Sequence, residues 1–392
     1  MSKVEDILAQ LVQFQVLGGQ SNLSIIHWIK EYVENCGVEA TLVPNETGDK
    51  AALHCRIGPA VDGGVILSGH TDVVPVEGQH WSSDPFVLTD KKDGRLYARG
   101  ACDMKGFLAC CLAALPDMVE APLQRPIYLA FSYDEEVGCI GAPALIRHFQ
   151  HHYSEKAHYA IIGEPSMMQP IVGQKGIYVV KTTVNGSAGH SSRIRQEVSA
   201  IHESARLILW LENKMNELVD EGRIDPRFEP PHSSIHIGTI QGGVAFNIVA
   251  DKAQFEWDLR TIPKDQVADI LAAFEAYCRE REAALRPIFP DFAIQLKEHH
   301  PPVPPLDTAE DQKVVSFVQK LCGQQDLGAV SFASEAGQFA EAGYESVICG
   351  PGSIEQAHRA DEFISKEQLQ KGMDMMHRLI QEQGAVFASL GQ

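Results

Sequence analysis

The stretch LSGHTDVVP, residues 67–75, closes an apolar run with a histidine and, two positions on, an aspartate. His70 and Asp72 could be caps, hydrogen-bonded turn residues or metal ligands, and the pair alone does not choose between them. Groups of the same chemical kind recur along the chain. Asp103 lies between glycines in YARGACDMKG (97–106), just ahead of a helical pattern. Asp134, Glu135 and Glu136 follow an apolar run in SYDEEVGCIGA (132–142), and Glu164 follows another in IIGEPS (161–166). His358 comes after a glycine-rich loop in GPGSIEQAHRADE (350–362). Each has a plain reading: Asp103 as a helix cap, the acidic run as a solvated turn, Glu164 as a turn residue before Pro165, His358 as a surface histidine. Together they are a nitrogen and oxygen donor set without cysteine, and its carboxylates would repel one another unless a cation neutralised them. Such a set suits zinc, manganese or cobalt in a catalytic site better than a structural zinc.

The elements around these residues place them on one rim. Helices are expected near residues 3–16 and 22–36, strands near 39–43, 51–57 and 64–68, and a buried helix over 106–118 ending near Pro116. A strand at 126–134, a helix at 141–149 and a strand at 158–165 follow. This alternation predicts an α/β unit with a mainly parallel sheet flanked by helices. Ligands of such sheets sit beyond the carboxyl ends of the strands, where His70, Asp134, Glu135, Glu136 and Glu164 fall. After about residue 176 the pattern becomes strand, helix, strand (SSIHIGTIQGG), strand (AFNIVADKAQFEWDLRTI), helix, strand. That βαββαβ order predicts a smaller inserted α+β unit. The proline-rich HHPPVPPL (299–306) reads as the return linker, and helices near 310–322 and 365–384 with a strand at ESVICG resume the first pattern. The expected division is 1–176 and 299–392 for the larger domain and 177–298 for the insert.

A chain of 392 residues is too long for one core. Its composition, 44% hydrophobic and 22% charged, is that of an ordinary soluble globular protein. A net charge of −19 argues against nucleic acid or an anionic membrane as partner and would steer a cationic small substrate, or serve solubility alone. No apolar run has the length of a membrane span, and the first residues carry no basic region followed by an apolar stretch. Nine cysteines without a Cys-x-x-Cys pair suggest reduced thiols in the cytoplasm. The GPGS turn at Gly352 lacks the rest of a phosphate loop and reads as a tight turn bringing backbone close to a substrate.

The blocks SGHTDVVP, GRLYARGACDMKG, SYDEEVGCIGA, GEPS, GSAGHSS and GPGSIEQAHRADEF, taken in order and spacing, resemble the co-catalytic dizinc amidohydrolase and peptidase family over nearly the whole chain. That family includes acetylornithine deacetylases, succinyl-diaminopimelate desuccinylases, aminoacylases and glutamate carboxypeptidases, and the closing block is most similar to the first branch. The resemblance implies two divalent metal ions, zinc first and cobalt or manganese as alternatives. His70, Asp103 and Glu164 would hold one, and Asp103, Glu136 and His358 the other. It implies Glu135 as general base, Asp72 orienting the His70 ring, and His190 donating to an oxyanion from its own or a partner subunit. Asn247 and Arg260 would contact the substrate, Arg260 through a carboxylate, and Glu335 could meet a cationic ornithine chain. The implied activity is hydrolysis of an N-acyl amino acid, first N2-acetyl-L-ornithine, by a homodimer paired through the inserted domain. A desuccinylase, a broad deacylase or a carboxypeptidase is the alternative within the family. A binding protein that kept the fold is the alternative of another class, and the filled ligand and base positions argue against it.

Overall fold

In the computed structural model, which describes residues 2–385, the apolar runs form the middle of a mixed sheet. Eight of its nine strands lie in the order Ala40–Pro44, Ala51–Ile57, Ile127–Ser132, Gly64–His70, Ala157–Pro165, Glu345–Gly350, Ile171–Gln174, Leu306–Asp307. Gly64–His70 runs parallel to Ile127–Ser132 on one side and to Ala157–Pro165 on the other, and Glu345–Gly350 continues the parallel run. Antiparallel pairs finish both ends of this core. The central strands are buried throughout, which is why they read as unbroken apolar segments rather than alternating ones.

Flanking helices complete this unit. The helix Lys105–Glu120 is buried on every face from Lys105 to Leu115, as a helix enclosed by others must be. Lys3–Gln13 and Lys366–Gly384 pack against it, and Ala142–His152 packs on the strand Ala51–Ile57. Phe107 lies directly over Gly163, where an added Cβ would stand 2.1 Å from the ring, so glycine is required there.

The helix does not stop at Pro116, as expected, but runs through it to Glu120. Proline has no N–H to offer Leu112, four residues back. The Tyr32 hydroxyl donates to that carbonyl instead, at 3.1 Å, so no buried acceptor is left empty.

The chain divides into two compact units. One contains the residues up to Gly173, Leu306–Ala329 and those from Ser334 onward; the other contains Gln174–Pro305 and Val330–Ala333. The second unit has an antiparallel sheet ordered Ser234–Gly242, Lys252–Thr261, Gly176–Asn185, Ala293–Glu298. Burial alternates strictly along Gly176–Asn185 and Lys252–Thr261, the period of a sheet with one covered face. Trp257, Phe255 and Leu259 on that face pack with Leu207 and Leu211 of helix Ala200–Asp220 and Phe274 of helix Val267–Leu285. The segment expected as one strand over AFNIVADKAQFEWDLRTI is two: Ile248–Val249 pairs with Gly189–His190, and only Lys252–Thr261 joins the sheet. A small sheet of Thr89–Asp90, Arg95–Tyr97 and Phe363–Ser365 is too short to leave a periodic signal in the sequence. All nine cysteines are free, and among the described residues no helix is long and apolar enough to cross a membrane.

Tyr32→Phe should lower unfolding stability by about 1 kcal/mol, read as a lower urea midpoint, because it strands the Leu112 carbonyl. In a Pro116→Ala background, where residue 116 regains its N–H, the same change should cost far less. Equal costs in the two backgrounds would mean the carbonyl is not the reason.

Candidate metal centre

His70 ends its strand, Glu164 is next to last in Ala157–Pro165, Glu135 and Glu136 follow Ile127–Ser132, and Asp103 sits two residues ahead of helix Lys105–Glu120. Apart from the Asp103 turn, these are the carboxyl ends of adjoining parallel strands, and the loop after Glu345–Gly350 brings His358 to the same rim. One Asp103 oxygen, Oδ1, lies 3.2 Å from His70 Nε2, while Oδ2 lies 3.4 Å from His358 Nε2. Glu164 Oε1 stands 3.6 Å from His70 Nε2, and Glu136 Oε2 stands 3.0 Å from His358 Nε2. Asp103 therefore faces one histidine with each oxygen, the geometry of a bridging carboxylate. Asp134, in the same acidic run, points elsewhere: it pairs with Lys50 and accepts from the Gly19 N–H at 2.8 Å.

Without a cation this arrangement is electrostatically loaded. Burial, followed by the Asp103 charge, pushes Glu136 up to about 7 and raises Glu164 well above the carboxylate range. Burial and the charges of Glu136 and Asp103 outweigh the opposing His70 and raise Glu135 as well. Asp103 resists its own burial because both histidines hydrogen-bond to it, and it is held below the usual range. Hydrogen bonds to Asp103 and Glu136 lift His358 to about 10. Burial opposes protonation of His70, but Asp103 and Asp72 overcome it and hold the ring charged. Glu164 Oε1 is buried and, among the described residues, has no hydrogen-bond partner. One donor atom each from His70, Glu135 and Glu164, and likewise from His70, Asp103 and Glu136, fall within 4.8 Å of one another. An orphaned carboxylate oxygen among crowded anions fits divalent cations bound by nitrogen and oxygen.

Asp72 reaches the His70 ring through its main chain. His70 Nδ1–H donates at 2.9 Å to its main-chain oxygen, while its carboxylate stands 3.6 Å away. That carboxylate accepts the main-chain N–H groups of Glu135 and Glu136, both at 3.2 Å. Glu335 is wholly buried against Ser132 and Ser68, not on the surface, and burial raises it to about 7. Sequence reasoning missed the buried pair Arg99–Glu362, with atoms 2.6 Å apart. Glu362 Oε1 accepts from the N–H groups of Cys102 and Asp103, and Arg99 donates to Gln79, whose amide donates to the His358 carbonyl. The pair thus ties the Asp103 turn to the His358 loop. Both residues lay inside the blocks YARGACDMKG and GPGSIEQAHRADE, where a buried cation and anion are the available signal.

Gly352 has φ +97°, and its N–H is already taken by Gln368 Oε1 at 3.1 Å. A Cβ there would stand 2.6 Å from Cys102 Sγ. Its requirement for glycine comes from packing on the Asp103 turn, and its N–H is not free for a substrate.

The remaining expected residues belong to the second unit. The His190 ring accepts the Ser192 N–H at Nδ1, which leaves Nε2 as the protonated nitrogen. Asn247 is exposed, and its carbonyl accepts the Ser191 N–H at 3.0 Å, one residue from His190. Arg260 is half-buried, with Nε on Asp258 at 3.1 Å and Nη1 on the Ser331 carbonyl at 3.4 Å.

The family model for Peptidase family M20/M25/M40 matches residues 66–382. A protein named acetylornithine deacetylase from Proteus mirabilis is 33% identical over 366 residues, covering 92% of this chain and 90% of that one. Another of that name from Aliivibrio salmonicida is 32% identical over 361 residues, covering 92% of each. Among solved structures, an M20 family metallo-carboxypeptidase from Sulfolobus solfataricus superposes with a TM-score of 0.78 at 18% identity, covering 98% of this chain and 100% of that one. An aminopeptidase from Bacillus cereus gives 0.74 at 20%, covering 98% of both. At those identities the two structures speak for the fold alone.

The raised groups fix a pH dependence. Glu136 binds its proton more tightly folded than unfolded, so its contribution is complete below 4.5 and is lost as pH rises through about 7. His358 loses its contribution between 6.5 and about 10. The depressed Asp103 has its full contribution above its ordinary value of 3.8 and adds no slope there. The melting temperature of the metal-free chain should therefore fall from pH 5 to 8, and Glu136→Gln should flatten the fall. Added divalent metal competes with the same protons, so the gap between metal-loaded and metal-free chain should widen with pH. A slope unchanged by Glu136→Gln would remove that residue from the crowded rim.

Proposed function

The chain belongs to peptidase family M20/M25/M40, and on that premise we propose that it hydrolyses N2-acetyl-L-ornithine to L-ornithine and acetate. The observation that carries this reading is Asp103 facing His70 with one oxygen and His358 with the other, in a chain whose near full-length relatives are named acetylornithine deacetylase. His70, Asp103 and Glu164 would hold one divalent ion, and Asp103, Glu136 and His358 the second, with zinc the best match to the donor set. When bound, two such ions supply positive charge that acidifies water and draws electron density from an acyl oxygen.

This chain's residues supply the proton movements. Glu135 takes a proton from the attacking water, the new C–O bond forms, and Glu135 returns that proton to the amine nitrogen as the amide C–N bond breaks. Its side chain is 11% exposed, and the same burial that raises its proton affinity lets it hold the proton between the two transfers. The Cys139 thiol at 3.4 Å and the Asp72 carboxylate on its own N–H keep it aimed. His190 Nε2–H donates to the acyl oxygen as negative charge develops. Arg260 and Asn247 receive the carboxylate and polar groups of the amino acid. Val244 and Phe246, 84% and 99% exposed in the loop just before the strand Ile248–Val249 that pairs with Gly189–His190, support a homodimer in which a second copy covers this apolar surface. Nine free thiols support a reducing, cytoplasmic setting.

A panel of acetylornithine, succinyl-diaminopimelate, acetylmethionine and a C-terminal glutamate dipeptide should show the highest kcat/KM for acetylornithine. Glu135→Gln should lower kcat on every active substrate by about 10²–10⁴-fold with metal content unchanged. Preference for another panel member would overturn the substrate, and near-normal turnover by the variant would overturn the base.

A further inference from the structure

Away from that rim, three histidines meet whose sequence positions give no hint of one another. His54 is in the middle of strand Ala51–Ile57 and wholly buried. His148 and His152 lie four residues apart on helix Ala142–His152, so both point from one helix face. That helix packs on the strand, and one ring nitrogen from each histidine falls within 4.8 Å of the others. His54 Nε2 is 2.9 Å from His148 Nδ1. The His152 ring lies 4.9 Å from His54 and 5.7 Å from His148, centroid to centroid.

We propose that His54, His148 and His152 form a second, independent metal site, a three-histidine site for a divalent late transition ion of the zinc and copper class. It shares no residue with the carboxylate-rich centre. Its donors are all imidazole nitrogens, which select zinc, copper or nickel over magnesium, calcium or manganese. A hydrogen-bonded pair needs only His54 and His148 and does not explain why His152 packs against both. Two nitrogens on one tetrahedral zinc stand about 3.4 Å apart, so the observed pair needs only to open slightly. His54 is also held as a ligand should be. Its Nδ1 lies 3.0 Å from the Tyr153 hydroxyl, and when Nδ1–H donates there the Nε2 lone pair faces the cluster. His152 is exposed, which leaves the fourth position to water and gives the ion an entry path. A bound ion would pin helix Ala142–His152 to the sheet.

Zinc is the probe, and the full chain with its catalytic centre loaded is the sample. Equilibrium dialysis against zinc followed by elemental analysis should find one more equivalent per chain in the parent protein than in a His148→Ala/His152→Ala variant. That variant should keep its hydrolytic rate within twofold, which also shows that it folds. In an Asp103→Ala chain one equivalent should persist and disappear when His152→Ala is added, so this site and the catalytic centre succeed or fail separately. Cobalt(II) absorption should follow the same pattern, with the band lost on His152→Ala. Equal zinc content with and without the two helix histidines would overturn the proposal.

Discussion

Carboxylates crowded into one dry rim repel one another, and much of this fold can be read as the cost of bringing them there. Asp103, the neighbours Glu135 and Glu136, and Glu164 come from three separate segments, and His70 and His358 face them. In a medium less polarisable than water such charges raise one another's proton affinity, as Glu136 and Glu164 show. Divalent ions held by these donors would relieve that repulsion. The parallel sheet suits the task because every strand in its centre ends on the same side, so side chains far apart in sequence converge without long loops.

A second layer holds the first in place. Arg99 and Glu362 form a buried ion pair, which on its own is weak evidence for stability. Its value here is positional. Glu362 collects two N–H groups at the Asp103 turn, and Arg99 reaches through Gln79 to the His358 carbonyl. Gly352 lets its own loop press on Cys102, and Gly163 lets Phe107 lie flat on the strand that carries Glu164. Helix Lys105–Glu120 can then be buried over most of its length and still follow directly on the turn that carries Asp103.

The sequence was most legible where chemistry and periodicity coincide. Unbroken apolar runs closed by His70 or Glu164 marked strands buried on both faces, and strict alternation in Lys252–Thr261 marked the one-sided sheet. What stayed hidden depends on partners distant in sequence. Pro116 breaks a helix by local rules, and only Tyr32, 80 residues from Leu112, supplies the missing bond. Glu335 resembles any helix glutamate until Ser132 and Ser68 enclose it. The histidines at 54, 148 and 152 are joined by a strand–helix contact that no motif encodes.

Asp72 shows how one residue can serve both halves of the proposed reaction. Its main-chain oxygen fixes the His70 ring so that Nε2 faces Asp103 and Glu164. Its carboxylate accepts the N–H groups of Glu135 and Glu136, and so sets the turn from which those side chains diverge. Neighbouring glutamates in a regular strand would also point apart, but nothing would hold that separation against their repulsion. Anchored through their backbones, one side chain can turn to His358 while the other stays near His70. The separation between the proposed ligand Glu136 and the proposed base Glu135 thus rests on main-chain hydrogen bonds to a single aspartate.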